Sequence, residues 1–264
     1  MKIALSIAGS DPTGGAGLQA DLQVFRALGV HGMGVPTALT VQDTGRVHEV
    51  LPVFPSVVLK QIRVLLRSTH PDALKLGMLA SDDVARSVEL GLRELDATRR
   101  TPIVIDPVLN ASDGTPLLER RAYGVLQDLC GRAYLVTPNL LEAAALTSSD
   151  VSTREGVEAA AAQLVNGLGA RAALVKGGHR DGAPDDLLAV REGGSASFHW
   201  LAGERIPGAD VHGTGCALSS AITAHLARGA GLESAFGSAR EFLKLALRQA
   251  KSRGSRARFL GYGL

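Results

Sequence analysis

Short runs of β-branched and aliphatic residues alternate along the chain with stretches whose apolar positions recur at helical spacing. Residues 3–8 read as a strand, and Leu18, Leu22, Phe25 and Leu28 mark one face of a helix ending near Gly29. The same pattern predicts a strand over 34–41, a helix over 55–68, a strand over 73–76 and a helix over 81–95. The unbroken run Ile103-Val104-Ile105 makes 102–105 a strand buried on both faces. Helical material over 118–130 leads to a strand over 133–136, and helices over 139–146 and 153–167 lead to a strand over 172–175. Beyond Gly178 the pattern changes. Residues 187–191 and 197–201 flank the turn Glu192-Gly193-Gly194 and read as an antiparallel hairpin at a sheet edge, before two long helices over 214–229 and 232–252. Strands alternating with helices at this spacing predict a mostly parallel sheet covered on both faces, with ligands at the strand ends.

At 264 residues and 45% hydrophobic content the chain can bury one large core, so a single domain over 1–264 is expected. A net charge of +2 is too small for the footprint of a nucleic-acid binder and favours a small-molecule partner. Lys244, Arg248, Lys251, Arg253, Arg256 and Arg258 gather near the end, where a solvated helix face and a frayed basic tail over about 251–264 are expected. Cys130 and Cys216 have no ligand-like spacing, which excludes a disulfide framework or a zinc site of familiar pattern and suits a reducing compartment. No leader-type segment precedes the first strand and no apolar run reaches the ~18 residues that span a bilayer, so a cytoplasmic enzyme without a membrane partner is expected.

The candidate chemistry sits where strands end. His212-Gly213-Thr214-Gly215-Cys216 opens a helix: glycines let the backbone approach a ligand, and free N–H groups with the helix dipole point at an anion. In Thr137-Pro138-Asn139-Leu140-Leu141-Glu142 the spacing puts an amide and a carboxylate on one face of a helix start. That suits metal-bound waters near a triphosphate, or a plain capped helix. Lys176-Gly177-Gly178-His179 emerges at the same sheet edge, as a nucleotide contact or a simple turn. There is no GxxxxGK[ST], and the glycine-rich segment 9–17 lacks the spacing of a dinucleotide fingerprint. His31, His48, His70, His199 and His225 have no ligand-like spacing, whereas His179 and His212 are placed to cap or orient phosphate loops.

Taken in order, Ala8-Gly9-Ser10-Asp11-Pro12-Thr13-Gly14-Gly15-Ala16-Gly17 with Gln19-Ala20-Asp21, Lys75-Leu76-Gly77-Met78-Leu79, Asp106-Pro107-Val108, Thr137-Pro138-Asn139 with Glu142-Ala143, Lys176-Gly177-Gly178-His179 and 212–216 resemble the hydroxymethylpyrimidine and phosphomethylpyrimidine kinases of thiamine biosynthesis. The resemblance covers residues 2 to about 250. It implies a ribokinase-like three-layer α/β/α sandwich, a mostly parallel sheet with a small antiparallel edge, ATP with Mg2+, and a homodimer. The implied reaction phosphorylates a 4-amino-5-hydroxymethyl-2-methylpyrimidine and then its monophosphate. Carried over by position, Gly9, Ala16, Val41, Gln42, Met78 and Val108, with Cys216, line the pyrimidine pocket. Asn139, Glu142, Lys176, Gly178 and Thr214 serve ATP, with Glu142 and Asp106 on the metal side. Gly213, Gly215 and Cys216 receive the transferring phosphoryl group. Cys216 stands where many ribokinase-like enzymes carry an aspartate base, and its place at a helix N-terminus favours a lowered thiol pKa.

The chain departs from the family at several places. Asp210-Val211 replaces the usual Asn-Thr, which makes Asp210 a candidate metal-water or base partner. Leu109-Asn110-Ala111-Ser112-Asp113-Gly114 lacks the usual lysine, Asp43 replaces an Asn and so places a charge at the substrate end, and the His- and Gly-rich C-terminal segment is absent. These departures keep two alternatives open: a pyridoxal-type kinase and a non-catalytic pyrimidine-binding module.

Overall fold

A computed structural model describes residues 1–95, 101–178, 184–204, 211–252 and 258–263. Among these residues nine strands form one sheet: β1 (Ile3–Ser10), β2 (His31–Gln42), β3 (Val47–Pro52), β4 (Ala73–Leu76), β5 (Ile103–Ile105), β6 (Leu135–Val136), β7 (Ala172–Val175), β8 (Asp186–Glu192) and β9 (Ser195–Leu201). Their order is β3-β2-β1-β4-β5-β6-β7-β8-β9. From β2 to β7 all neighbours are parallel, while β3 on one side and β8 and β9 on the other run antiparallel. The pattern predicted the 187–201 hairpin but not β3. Val47-His48-Glu49-Val50-Leu51-Pro52 pairs with a β2 that starts at His31, and none of these six residues is buried, so no clean alternation marks them.

Among the described residues eight α-helices cover the sheet. On one face lie α2 (Pro55–Ser68), α3 (Asp82–Leu92), α4 (Tyr123–Cys130), α5 (Leu140–Thr147) and α6 (Arg154–Ala162). Their Val58, Ile62, Val88, Leu126 and Val157 pack on Leu5, Ile7, Leu74, Leu76 and Ile105. On the other face lie α1 (Gly17–Ala27), α7 (Thr214–Ala227) and α8 (Leu232–Arg248), whose Phe25, Leu218, Ile222 and Phe236 pack on Ala4, Ala73, Val104 and Leu174. Successive strand residues alternate faces, so Ser6 and Lys75 also turn toward the α1/α7 side. The predicted helix over 153–167 widens to a π turn at Gln163–Gly167.

The last helix stops earlier than predicted, at Arg248. The chain then forms the antiparallel pair β10 (Lys251–Ser252) and β11 (Arg258–Phe259). The expected frayed tail is corrected for its described residues: Leu260 and Tyr262 pack on the α1/α7/α8 core. Among the described residues no helix is long and apolar enough to cross a membrane.

Candidate active site

From β1 the chain turns one way to β2 and later the other way to β4, and ligands in open α/β sheets bind beyond the strand carboxyl ends at such a switch point. A cavity of about 1030 Å3 lies there. Its floor is the start of α7. Gly213, the N-cap, has φ +82°, and a Cβ on it would come within 1.9 Å of the Gly15 carbonyl oxygen, so only glycine lets the two loops touch. Among the described residues no side chain caps α7, and the first N–H groups of a helix have no partner within it. Thr214, Gly215 and Cys216, which carry those groups, line the cavity. The His212 imidazole lies 3.3 Å from Asp11, whose carboxylate also accepts from the N–H groups of Thr13 and Ala16 at 2.8 and 2.9 Å. Burial opposes ionisation of Asp11, but its contacts with His212 and Thr13 prevail and hold its pKa below the usual value.

Two lysine–aspartate pairs, one fully and one partly buried, flank this helix start. Asp106 follows β5 and pairs with Lys176 at 3.0 Å, while Thr137 and Ser219 donate to it at 3.3 and 3.2 Å. Asp21 of α1 pairs with Lys75 of β4 at 2.8 Å and accepts from Ser6 and Ser220, each at 2.6 Å. Both members of the second pair are fully buried. Burial disfavours the charge on Lys75, yet the Asp21 carboxylate outweighs it and raises the ammonium pKa; for Asp106, burial is likewise outweighed, by Lys176 and Lys75. Ser219 and Ser220 thus bolt α7 to both carboxylates.

Asn139 and Glu142 form a reciprocal cap on α5: Glu142 N–H donates to the Asn139 side chain at 2.8 Å and Asn139 N–H to the Glu142 carboxylate at 2.7 Å. The capping reading therefore holds, and both residues also line the cavity. Burial, aided by the Asp106 charge, pushes the Glu142 carboxyl up to about 7 against the pull of Lys176. Among the described residues no three His, Cys, Asp or Glu side chains gather as a metal cage.

At the other end of the cavity stand Gly9, Ala16, Gln42, Met78 and Val108. Thr40 Oγ1 lies 2.9 Å from Gln42 Oε1 and 3.0 Å from the Ser10 carbonyl oxygen. One hydroxyl proton cannot serve both, so the Gln42 amide can present either its donor or its acceptor to a ligand.

Most of the residues expected at the site are thus brought together, including Gly178, Asp106 and the whole 213–216 run. Three expectations need correction, and two fall on residues that are not described. Val41 is 48% exposed and outside the cavity, because Thr40 and Gln42 on either side of it take the inward positions of β2. Asp43 turns to His48 at 2.8 Å, away from the substrate end; that bond and the N–H groups of Gly45 and Arg46 hold it at about 2. Burial, against the pull of Lys75, pushes the Cys216 thiol up to about 11, so the lowered value expected at a helix N-terminus is not found. Asp210 and His179 lie outside the described residues. Sequence reasoning placed Asp21 and Lys75 within motifs but gave them no role, and it missed Ser219 and Ser220. A signal existed: Lys75 interrupts the apolar strand Ala73-Leu74-Lys75-Leu76, and Asp21 sits on the face marked by Leu18, Leu22 and Phe25.

Sandwich, switch-point cleft and the glycine-rich start of α7 give the chain the architecture of an α/β/α phosphotransferase. The family model "Phosphomethylpyrimidine kinase" matches residues 11–259, and the chain belongs to that family. The thiamine biosynthesis bifunctional protein ThiED of Geobacter sulfurreducens is 40% identical over 95% of this chain, which spans half of that longer protein. The hydroxymethylpyrimidine/phosphomethylpyrimidine kinase of Staphylococcus aureus is 36% identical over 93% of this chain and 88% of its own. Among solved structures, an ADP complex of Bacillus subtilis pyridoxal kinase superimposes with TM-score 0.86 at 30% identity, covering 99% of this chain and 97% of that one. Phosphomethylpyrimidine kinase from Clostridium difficile gives 0.80 at 32% identity, covering 92% and 98%.

Proposed function

We propose that this chain, acting as one catalytic unit, phosphorylates 4-amino-5-hydroxymethyl-2-methylpyrimidine with ATP and then converts the monophosphate to the diphosphate, in thiamine biosynthesis. The observation that carries this is a single cavity with two unlike ends: an uncapped helix start beside buried lysines, and a Gln42–Met78–Val108 wall. Gln42 matches an aminopyrimidine edge, which both donates and accepts. ATP lies along Asn139, Glu142, Lys176, Gly178 and Thr214. Phosphoryl transfer spreads charge over equatorial oxygens, and the fixed N–H groups of 213–216 with Lys176 stabilise that charge without reorganising.

Magnesium suits the donor set. Asp106 and Glu142 crowd two buried carboxylates at the phosphate end, and this cation is held by one or two carboxylates with water and phosphate oxygens completing its shell. When bound it neutralises triphosphate charge. Of the two groups first considered for the alcohol's proton, Cys216 is protonated at neutral pH, which leaves Asp210. An Asp210→Asn enzyme retaining wild-type kcat contradicts that assignment.

The homodimer belongs to the same proposal. Leu39 and Leu51 face each other across the β2–β3 hairpin and, with Val41, leave an apolar outer face 44–52% exposed, against which a second copy packs. Cytoplasmic placement follows from the same reading. ATP-dependent turnover of hydroxymethylpyrimidine, followed as ADP release with Mg2+ present, tests the proposal; no turnover rejects it. A pyridoxal-kinase reading is favoured by one observation, the 0.86 superposition on the Bacillus enzyme.

A further inference from the structure

The C-terminal residues reach back to the site from behind α8. Gly261 N–H donates to the Ala246 carbonyl at 3.1 Å, and the Arg258 guanidinium donates to the Ala250 carbonyl at 3.1 Å. The Tyr262 ring stacks on Phe242 of α8, with centroids 6.0 Å apart and planes within 2°. Strand pairing of Lys251 with Phe259 then sets the direction in which the Phe259 ring projects.

That ring ends on Gly15. A Cβ on Gly15 would come within 3.1 Å of both Cδ1 and Cε1 of Phe259 and within 3.1 Å of Cδ2 of His212. Gly15 therefore carries Phe259 and His212 against one α-carbon, while its carbonyl oxygen lies against Gly213, the N-cap of α7. Asp11, at the start of the same glycine loop, reaches His212. The tail, the glycine loop and the anion loop form one contact stack, whose last layer carries the first N–H groups of α7.

We propose that Phe259 is a positioning residue for phosphoryl transfer: packed on Gly15 and anchored through Tyr262, it presses the glycine loop onto His212 and Gly213 and so fixes the N–H groups at the start of α7. Donors aimed at a developing charge lose much of their effect when displaced by an ångström, so a contact that touches no substrate governs the transfer step. The effect on turnover rests on the kinase reading; the packing does not.

The test compares Phe259→Ala, Phe259→Leu and Gly15→Ala with the wild-type chain. It measures kcat, KM for ATP, melting temperature, and hydrogen exchange of the 211–216 amides. Phe259→Ala is expected to lower kcat at least tenfold with KM for ATP changed less than threefold, and to speed exchange of the 211–216 amides at least fivefold. Phe259→Leu, which keeps apolar bulk on Gly15, restores kcat to within threefold of wild type. Gly15→Ala lowers kcat, and adding Phe259→Ala to it recovers part of the loss because the ring vacates the space the new methyl needs. Unchanged exchange in Phe259→Ala overturns the packing claim whether or not the wild-type chain turns over pyrimidine. A lower melting temperature with unchanged kcat per folded molecule reduces Phe259 to a stability contact and overturns the positioning claim. Should Phe259→Ala not fold, the Leu and Gly15→Ala arms decide: loss of kcat in the first, or none in the second, is also contrary.

Discussion

Cys216 shows how burial and helix position compete at one atom. The N-terminus of α7 and Lys75 both favour the thiolate, but desolvation, with Asp106 and Asp21 adding like charge, raises the pKa to about 11. A raised thiol pKa means the protonated form at neutral pH. Alkylation of Cys216 by iodoacetamide, mapped by mass spectrometry, should therefore rise about tenfold per pH unit from pH 7 to about 10. A plateau at or below pH 8 would show that the helix field wins. Lys75 supports a second prediction. Removing one partner of a buried pair leaves a charge without compensation, which costs about 3–5 kcal/mol. Lys75→Met should lose stability of that order in urea unfolding, and Lys75→Met with Asp21→Asn should lose less; a single-mutant cost under about 1 kcal/mol contradicts the account. At this scale the sequence was legible wherever a residue lay in a local motif, as with Asn139 and Glu142. The Asp21–Lys75 pair, 54 positions apart, was not, because its meaning depends on two elements meeting across the sheet.

Elements were easier to read than their pairing. The helix over 55–68 and the strand over 172–175 were both legible to the residue, since long amphipathic or wholly apolar stretches encode their own period. β3 was missed because its partner on β2 supplies the order that its own residues do not display. The same hairpin explains the misplacement of Val41: position along the chain put it beside Gln42, while the pleat put it on the opposite face. Two substitutions separate those faces. Gln42→Ala should raise KM for the pyrimidine about tenfold and leave oligomeric state unchanged. Val41→Lys should leave that KM within twofold and shift the chain toward monomer in analytical ultracentrifugation. Reversal of the two outcomes would contradict the register of β2.

For the molecule as a whole, the sheet order places every expected and described cavity residue at the carboxyl ends of β1, β2, β4, β5, β6 and β7 or at the start of α7. The sandwich and its ligand edge were thus legible from alternation alone. The nature of the ligand was not: periodicity records burial, and the choice between pyrimidine and pyridoxine rests on a few side chains around Gln42. The loop Asn110-Ala111-Ser112, which lacks the family's lysine, also lines the cavity and bears on whether a monophosphate is accepted as second substrate. The central claim is therefore tested most directly by offering hydroxymethylpyrimidine, its monophosphate and pyridoxine together with Mg-ATP and reading the products by mass spectrometry. Pyrimidine mono- and diphosphate are expected, with pyridoxine phosphate a minor product. Pyridoxine phosphate as the main product, or no diphosphate from the supplied monophosphate, would contradict it.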